Sequence, residues 1–259
     1  DKCKEANLKK LLSLLGVAWL GSQMGLAQWV NYPTPGVPRT KDGKPDLSAP
    51  APKTADGRVD MSGIWQIVTA KAKPSEYEYK PSQDLENYMA DGAAIPWQPW
   101  AEALWRKRRE SSGAGQPSER CLPPGVPHEM LPPLPFRIVH TPGITFILRE
   151  EFNHFRQIFT DGRPHPTERI PTWNGYSIGT WEGDAFVVDT VGFNDLTWLD
   201  KAGHPHSEAL RVVERFRRPS FGRLIVEVTI DDPKAYTKPW TATLPFNIQL
   251  NTDLLEYVC

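Results

Sequence analysis

The chain has 259 residues, of which 39% are apolar, and this is enough to bury the core of one large or two small domains. Its 30 Lys and Arg residues are balanced by 31 Asp and Glu residues, which gives a formal net charge of −1. No overall field attracts nucleic acid or an anionic membrane, so neither is expected as a partner.

The amino-terminal segment has the pattern of an export signal peptide. Two lysines precede an apolar run over residues 11–20, and small residues stand at Gly25 and Ala27. The run is shorter than the ~20 apolar residues that a membrane-spanning helix needs, which disfavours a membrane anchor. We therefore expect residues 1–27 to be removed during bacterial export, leaving a periplasmic or secreted protein.

Export changes the interpretation of the cysteines. Cys3 falls within the signal segment, so Cys121 and Cys259 are the pair that the mature chain retains. An oxidising compartment favours a disulfide between them, and two unrelated thiols are the alternative. Two cysteines without a CxxC motif exclude a zinc site built from cysteines.

Residues 28–62 predict an extended, proline-rich arm. Within it, "DGKPDLS" at 42–48 is echoed by "DGRVDMS" at 56–62. Asp-Gly followed by a basic residue is typical of a tight turn, so we expect two similar turns. Two copies are too few for a solenoid.

Residues 63–259 predict one β-rich domain with a short helix near 98–110. That helix begins with a proline and ends with basic residues, both of which suit a helix. The β-type runs are separated by hairpin-length links such as "TPG" and "EGD". We therefore predict an all-β fold, an antiparallel meander that closes into a barrel or packs as a sandwich. The runs are "SGIWQIVTA", "FRIVHT", "ITFILREEF", "FRQIFTD", "YSIGTWE", "DAFVVDT", "ALRVVERFRR", "RLIVEVTIDD", a broken run through "YTKPWTATL", and "LLEYV".

Polar and aromatic residues concentrate in two proline-rich loops, "TDGRPHP" and "DKAGHPHSE". Their prolines stiffen the backbone around His165, His204 and His206. Loops at the same end of a barrel come together, so we expect one shared rim in which His165 and at least one other histidine face a cavity near Trp173.

The leading functional interpretation is an exported barrel that binds a small organic molecule at this rim. Tryptophans usually belong to the core, although an exported barrel also uses them to stack a sugar or aromatic ring. The predicted ligand-binding residues are Arg163, Trp173, Trp181, Asp189 and Trp240.

A hydrolase or lyase is the enzymatic alternative, since a histidine oriented by a carboxylate moves protons at neutral pH. Its predicted catalytic residues are His165, His206, Asp161 and Glu214. A metal-assisted version uses His165, His204 and His206 as ligands of a divalent metal such as zinc.

Two interpretations without ligand binding or catalysis in these loops stay open. The glycine and prolines of "TDGRPHP" are explained by turn formation alone, which makes that loop scaffold. A structural or surface-assembly protein is the third class of function, with the arm at residues 28–62 packing on a neighbour.

Three motifs resemble those of a large group of exported proteins from soil and environmental bacteria. They are "TDGRPHP", "GTWEGDAFVVDTVGF" and "HPHSEALRVVERFRR", and the likeness extends over nearly all of the mature chain. The resemblance implies export and a β-rich fold, but that group has no established activity and supplies no catalytic residues. The meander by itself is similar, more weakly, to lipocalin-type barrels.

Overall fold

The computed structural model describes residues 33–258, which divide into two compact units. The described part of the smaller unit consists of residues 33–35 and 250–253, where Thr34 and Asn251 exchange hydrogen bonds of 3.1 and 2.8 Å. The larger unit holds the remaining described residues, so the arm from residue 36 onward belongs to the same unit as the strands. The predicted signal peptide and Cys259 lie outside the described residues.

The larger unit is a closed barrel in which nine strands follow one another in chain order, with β1 paired to β9. The predicted all-β fold is therefore confirmed in its barrel form, not as a sandwich. The strands are β1 (Gly63–Ile67), β2 (Phe136–Thr141), β3 (Ile144–Arg149), β4 (Phe155–Phe159), β5 (Tyr176–Glu182), β6 (Ala185–Val191), β7 (Arg211–Ser220), β8 (Arg223–Asp231) and β9 (Trp240–Ile248).

The β4–β5 pair is parallel, whereas the other neighbouring pairs are antiparallel as predicted. A strictly alternating order of nine strands leaves the first and last strands pointing the same way. They then cannot close the barrel as an antiparallel pair. One parallel pair removes this conflict, and it requires residues 160–175 to connect opposite ends of the barrel.

The two ends of the barrel differ in their connections. At one end, here called the turn end, tight hairpins join β2 to β3, β5 to β6 and β7 to β8. Gly143 and Gly183 make two of these turns with φ of +77° and +61°, a region that favours glycine. At the other end, the loop end, long connections join β1 to β2, β6 to β7 and β8 to β9.

Large side chains fill the barrel interior. Trp65, Phe136 and Phe246 are each at most 1% exposed, and the two phenylalanine rings meet edge to face at 5.2 Å. In β5, a Cβ on Gly179 would lie 2.6 Å from the ring of Phe186, so the glycine makes room for that ring. Cavities are found instead at the two ends of the barrel.

The predicted helix forms as α1 (Pro99–Glu110), with proline in its first turn and three basic residues in its last. The echoed motifs of the arm also form similar turns, each closed by an isolated antiparallel bridge, Arg39 with Pro45 and Lys53 with Val59. The predicted strand at "LLEYV" is wrong, because Tyr257 makes only an isolated parallel bridge to Glu151. Among the described residues no helix is both long and apolar enough to cross a membrane.

Candidate functional site

The "TDGRPHP" loop lies on the outer wall of the barrel. Its His165 Nε2 is 3.3 Å from Asp189 Oδ2, and its ring lies 6.2 Å from that of Tyr176. Asp189 is an outward residue of β6 and accepts two hydrogen bonds from Arg211. Burial raises the pKa of Asp189, but Arg211 and His165 outweigh it and hold that pKa below its usual value.

The start of the same loop forms a solvent-exposed turn. Asp161 accepts hydrogen bonds from the guanidinium of Arg163, which also lies 4.1 Å above the ring of Phe159. Gly162 supplies a φ of +83° between them. These contacts explain the Asp-Gly-Arg sequence as turn formation. Trp173 lies further along the same connection and is half-buried.

The "DKAGHPHSE" loop lies at the loop end, where most of it is buried. His204 is fully buried, and its Nδ1 lies 2.7 Å from Asp200 Oδ2. His206 is 5% exposed and contacts the Thr197 hydroxyl at 2.6 Å and the Ser207 carbonyl at 3.0 Å. Burial lowers the pKa of His206, which favours a neutral ring.

The structure does not bring the predicted catalytic and metal-binding residues together. His165 is on the outer wall, and His204 and His206 have separate buried partners. Glu214 points into the barrel interior, where it is fully buried. Trp240 is also buried, with its ring 5.8 Å from that of His204. The residues of the single rim predicted from the sequence therefore do not share one site. They lie on the outer wall, in the buried part of the loop end and inside the barrel.

One group of three potential metal ligands within residues 33–258 has its ligand atoms within 4.8 Å of one another, namely Asp84, Asp200 and His204. All four oxygens of its two carboxylates already accept N–H groups at 2.7–3.2 Å. One of these donors is the buried guanidinium of Arg109, 3.1 Å from Asp84. A guanidinium at this position opposes a metal cation, so the donor set does not fit one.

The group is better described as a balanced network of buried charges. Burial alone lowers the pKa of His204, but the charge and hydrogen bond of Asp200 outweigh it and raise that pKa to about 10. The resulting imidazolium stacks on Trp97, with ring centroids 5.2 Å apart and planes 3° apart. Burial and the charge of Asp200 raise the pKa of Asp84 to about 6.

A second charged cluster lies inside the barrel. Arg156 of β4 is 2% exposed and makes two parallel hydrogen bonds to Glu214 of β7, at 3.0 and 2.5 Å. It also donates to the hydroxyls of Ser177 at 3.1 Å and Thr190 at 2.8 Å. Four strands are thus joined through one guanidinium, which indicates a structural role for Glu214.

A cavity of about 500 Å³ opens at the turn end. The inward side chains of His140, Thr145 and Trp181 form part of its wall, and Arg58 from the second turn of the arm stands above the indole at 5.8 Å. Asp56 of the same turn completes a rim of His, Asp and Trp residues. Of these, only Trp181 belongs to the predicted ligand-binding set.

His140 supplies an unused polar atom to this cavity. Its Nδ1 lies 2.8 Å from the Thr145 hydroxyl, while its buried Nε2 has no hydrogen-bond partner in the described part of the chain. Burial lowers the pKa of His140, so the ring is neutral at pH 7. An unpaired buried nitrogen of this kind is costly unless a ligand or water meets it.

No protein-family model, curated protein or solved structure matches the chain. The resemblance to exported bacterial proteins therefore stays a prediction that rests on the quoted motifs.

A second cavity, of about 380 Å³, lies at the loop end, with His128, Glu151 and Lys201 in its wall.

Both cavities contain a histidine that the sequence interpretation left out, although each had a detectable signal. His140 continues the alternation of Phe136 and Ile138 along β2, which places it on the inward face. His128 directly follows Pro127 in a proline-rich stretch, the same pattern that drew attention to His165.

Proposed function

We propose that this protein is an exported β-barrel that binds a small, mostly apolar organic molecule in the turn-end cavity. The observation that carries the proposal is the unpartnered Nε2 of His140 beside the aromatic ring of Trp181. Export rests on the signal-peptide pattern and on the resemblance to exported bacterial proteins.

The surroundings of His140 favour an aromatic or alicyclic ligand with one hydrogen-bonding group. The His140 ring lies 6.0 Å from that of Trp181 and 5.7 Å from that of Phe186, and the last two rings are 5.1 Å apart. Pockets for small molecules typically combine such an apolar wall with a few placed polar groups, in volumes of roughly 300–1,000 Å³.

Replacing Trp181 with alanine should weaken binding of an aromatic probe with one hydrogen-bonding group at least about tenfold, because the indole ring in the cavity wall is lost. His140→Leu should have a similar effect by removing the polar contact. Affinity is measured by fluorescence titration of the full chain with phenol, indole and 2-naphthol.

Trp173→Ala is the matched control, because Trp173 lies in the β4–β5 connection and is not part of the cavity wall. It should leave affinity unchanged. Saturable binding that survives both Trp181→Ala and His140→Leu, or the absence of saturable binding to all three probes, would contradict the proposal.

A disulfide between Cys121 and Cys259 is part of the same proposal of an exported protein. Ser118 and Tyr257, which lie close in sequence to the two cysteines, share the wall of the loop-end cavity. Non-reducing peptide mapping should find the two cysteine peptides linked, and Cys121→Ser should lower the free energy of unfolding by about 2–5 kcal/mol. Complete thiol labelling of both cysteines in the unreduced, unfolded protein would exclude the bond.

A further inference from the structure

We propose that the loop-end cavity is a second binding site, specific for an uncharged, polyhydroxylated ligand of about monosaccharide size. The site is independent of the turn-end cavity, since the two lie at opposite ends of the barrel. Its wall includes His128, Glu151 and Lys201, together with Gln83 and Gln116.

His128 is a residue of this wall that has a buried, unpaired hydrogen-bond acceptor. It lies on the 3-10 turn His128–Met130, within the long β1–β2 connection, and is only 4% exposed. One ring nitrogen bonds to the backbone of Trp198, and the other, Nδ1, has no partner among residues 33–258. Burial lowers the pKa of His128 to about 4, so the ring is neutral at pH 7 and Nδ1 keeps its lone pair.

A second residue of the wall has an oxygen without a hydrogen-bond partner in the described chain, the buried Glu151 Oε2. Glu129, the neighbour of His128 along the chain, is not part of the wall, and its Oε1 lies 3.7 Å from the guanidinium of Arg156 while its Oε2 lies 3.2 Å from His154 Nε2. The wall therefore holds two acceptors that need a donor, His128 Nδ1 and Glu151 Oε2.

Unpaired donors occur in the same region. Arg149 is the last residue of β3, is 4% exposed, and has no hydrogen-bond partner on any of its three guanidinium nitrogens within the described residues. Arg149 is not part of the cavity wall, but it precedes the wall residue Glu151 by two positions, and its positive charge acts to lower the pKa of both His128 and Glu151. A buried guanidinium without hydrogen bonds is strongly unfavourable unless water or a ligand supplies acceptors.

This mixture of unmet groups selects the class of ligand. An anion would suit Lys201 but would face Glu151 and the lone pair of His128. A cation would suit Glu151 but would face Lys201 and the charge of nearby Arg149. A hydroxyl group both donates and accepts, so a neutral polyol meets both needs. The cavity, at about 380 Å³, falls in the size range of small-ligand pockets.

The test is titration of the full chain with D-glucose, D-galactose and D-mannose, followed by calorimetry and by saturation-transfer NMR. We expect saturable binding of at least one sugar and no binding of acetate or inorganic phosphate. His128→Leu should weaken sugar binding at least about tenfold, because it leaves a ligand hydroxyl without its acceptor.

Glu151→Gln is a second variant in case His128→Leu does not fold, since Glu151 is only partly buried. It should also weaken sugar binding, while His140→Leu in the turn-end cavity should not. The proposal is overturned if none of the sugars binds, if only acetate or phosphate binds, or if sugar affinity is unchanged in the folded variants of this cavity. If none of these compounds binds, ordered water alone meets the buried groups.

Discussion

Replacing Arg156 with methionine should lower the free energy of unfolding by about 3–5 kcal/mol, because it leaves the carboxylate of Glu214 buried without its partner charge. Both side chains are at most 2% exposed, and their two hydrogen bonds measure 3.0 and 2.5 Å. The loss is measured by urea denaturation followed by circular dichroism.

Two further variants separate this cost from the net value of the ion pair. Arg156→Met combined with Glu214→Leu should recover part of the loss, since Ser177 and Thr190 still bond to each other at 3.0 Å. The remainder reflects buried Glu129, whose Oε1 lies 3.7 Å from Arg156 and loses that charge in both variants. Arg163→Met, which breaks the exposed pair with Asp161, should leave the free energy of unfolding close to that of the parent protein. If Arg156→Met costs no more than Arg163→Met, the guanidinium is not buried as described.

The fold class was predictable because the alternation of apolar residues along a strand is a local property. The runs "FRIVHT" and "YSIGTWE" coincide with β2 and β5. The glycines between strands were informative because tight turns contain positions with positive φ, which glycine adopts most easily. Alternation also places Arg156 inward with Ile158 on β4. Its partner Glu214 is 58 residues away, and no local pattern identifies such a pairing.

The shared histidine rim was not predictable for a related reason. The prediction assumed that "TDGRPHP" and "DKAGHPHSE" leave the same end of the barrel, as every second connection of an antiparallel meander does. Because β4 and β5 are parallel, β4 ends at the turn end whereas β6 ends at the loop end, so the two loops leave opposite ends of the barrel. The first loop then carries His165 along the outer wall to Asp189. The parallel pair depends on the number of strands that close the barrel, which is a property of the whole chain.

The buried charges at the loop end are expected to make stability fall as the pH is raised from 6.5 to about 10. The pKa of His204 is about 10 in the folded protein, above its ordinary value of 6.5. A raised pKa means that the folded protein binds the proton more tightly than the unfolded chain does. The stabilisation is therefore complete below pH 6.5 and is lost as the pH rises through 10.

His204→Gln should lower the free energy of unfolding at pH 7 by about 3–5 kcal/mol, since Asp84 and Asp200 keep their charges while the imidazolium is removed. It should also flatten the dependence of stability on pH between 6.5 and 10. His206→Gln, two residues away in the same loop, is the control. It removes only the contacts to Thr197 and Ser207, so it should cost about 1–3 kcal/mol and keep the pH dependence of the parent protein.

Urea denaturation of both variants at pH 6.5, 8 and 10 gives the required curves. Equal slopes for the parent protein and His204→Gln would mean that His204 is neutral in the folded state, and the network would then carry an unbalanced negative charge. Between Asp200 at 2.7 Å and Glu86 at 3.5 Å, a neutral ring has one proton for two carboxylates. The slope therefore reports directly whether the ring carries the second proton in the folded protein.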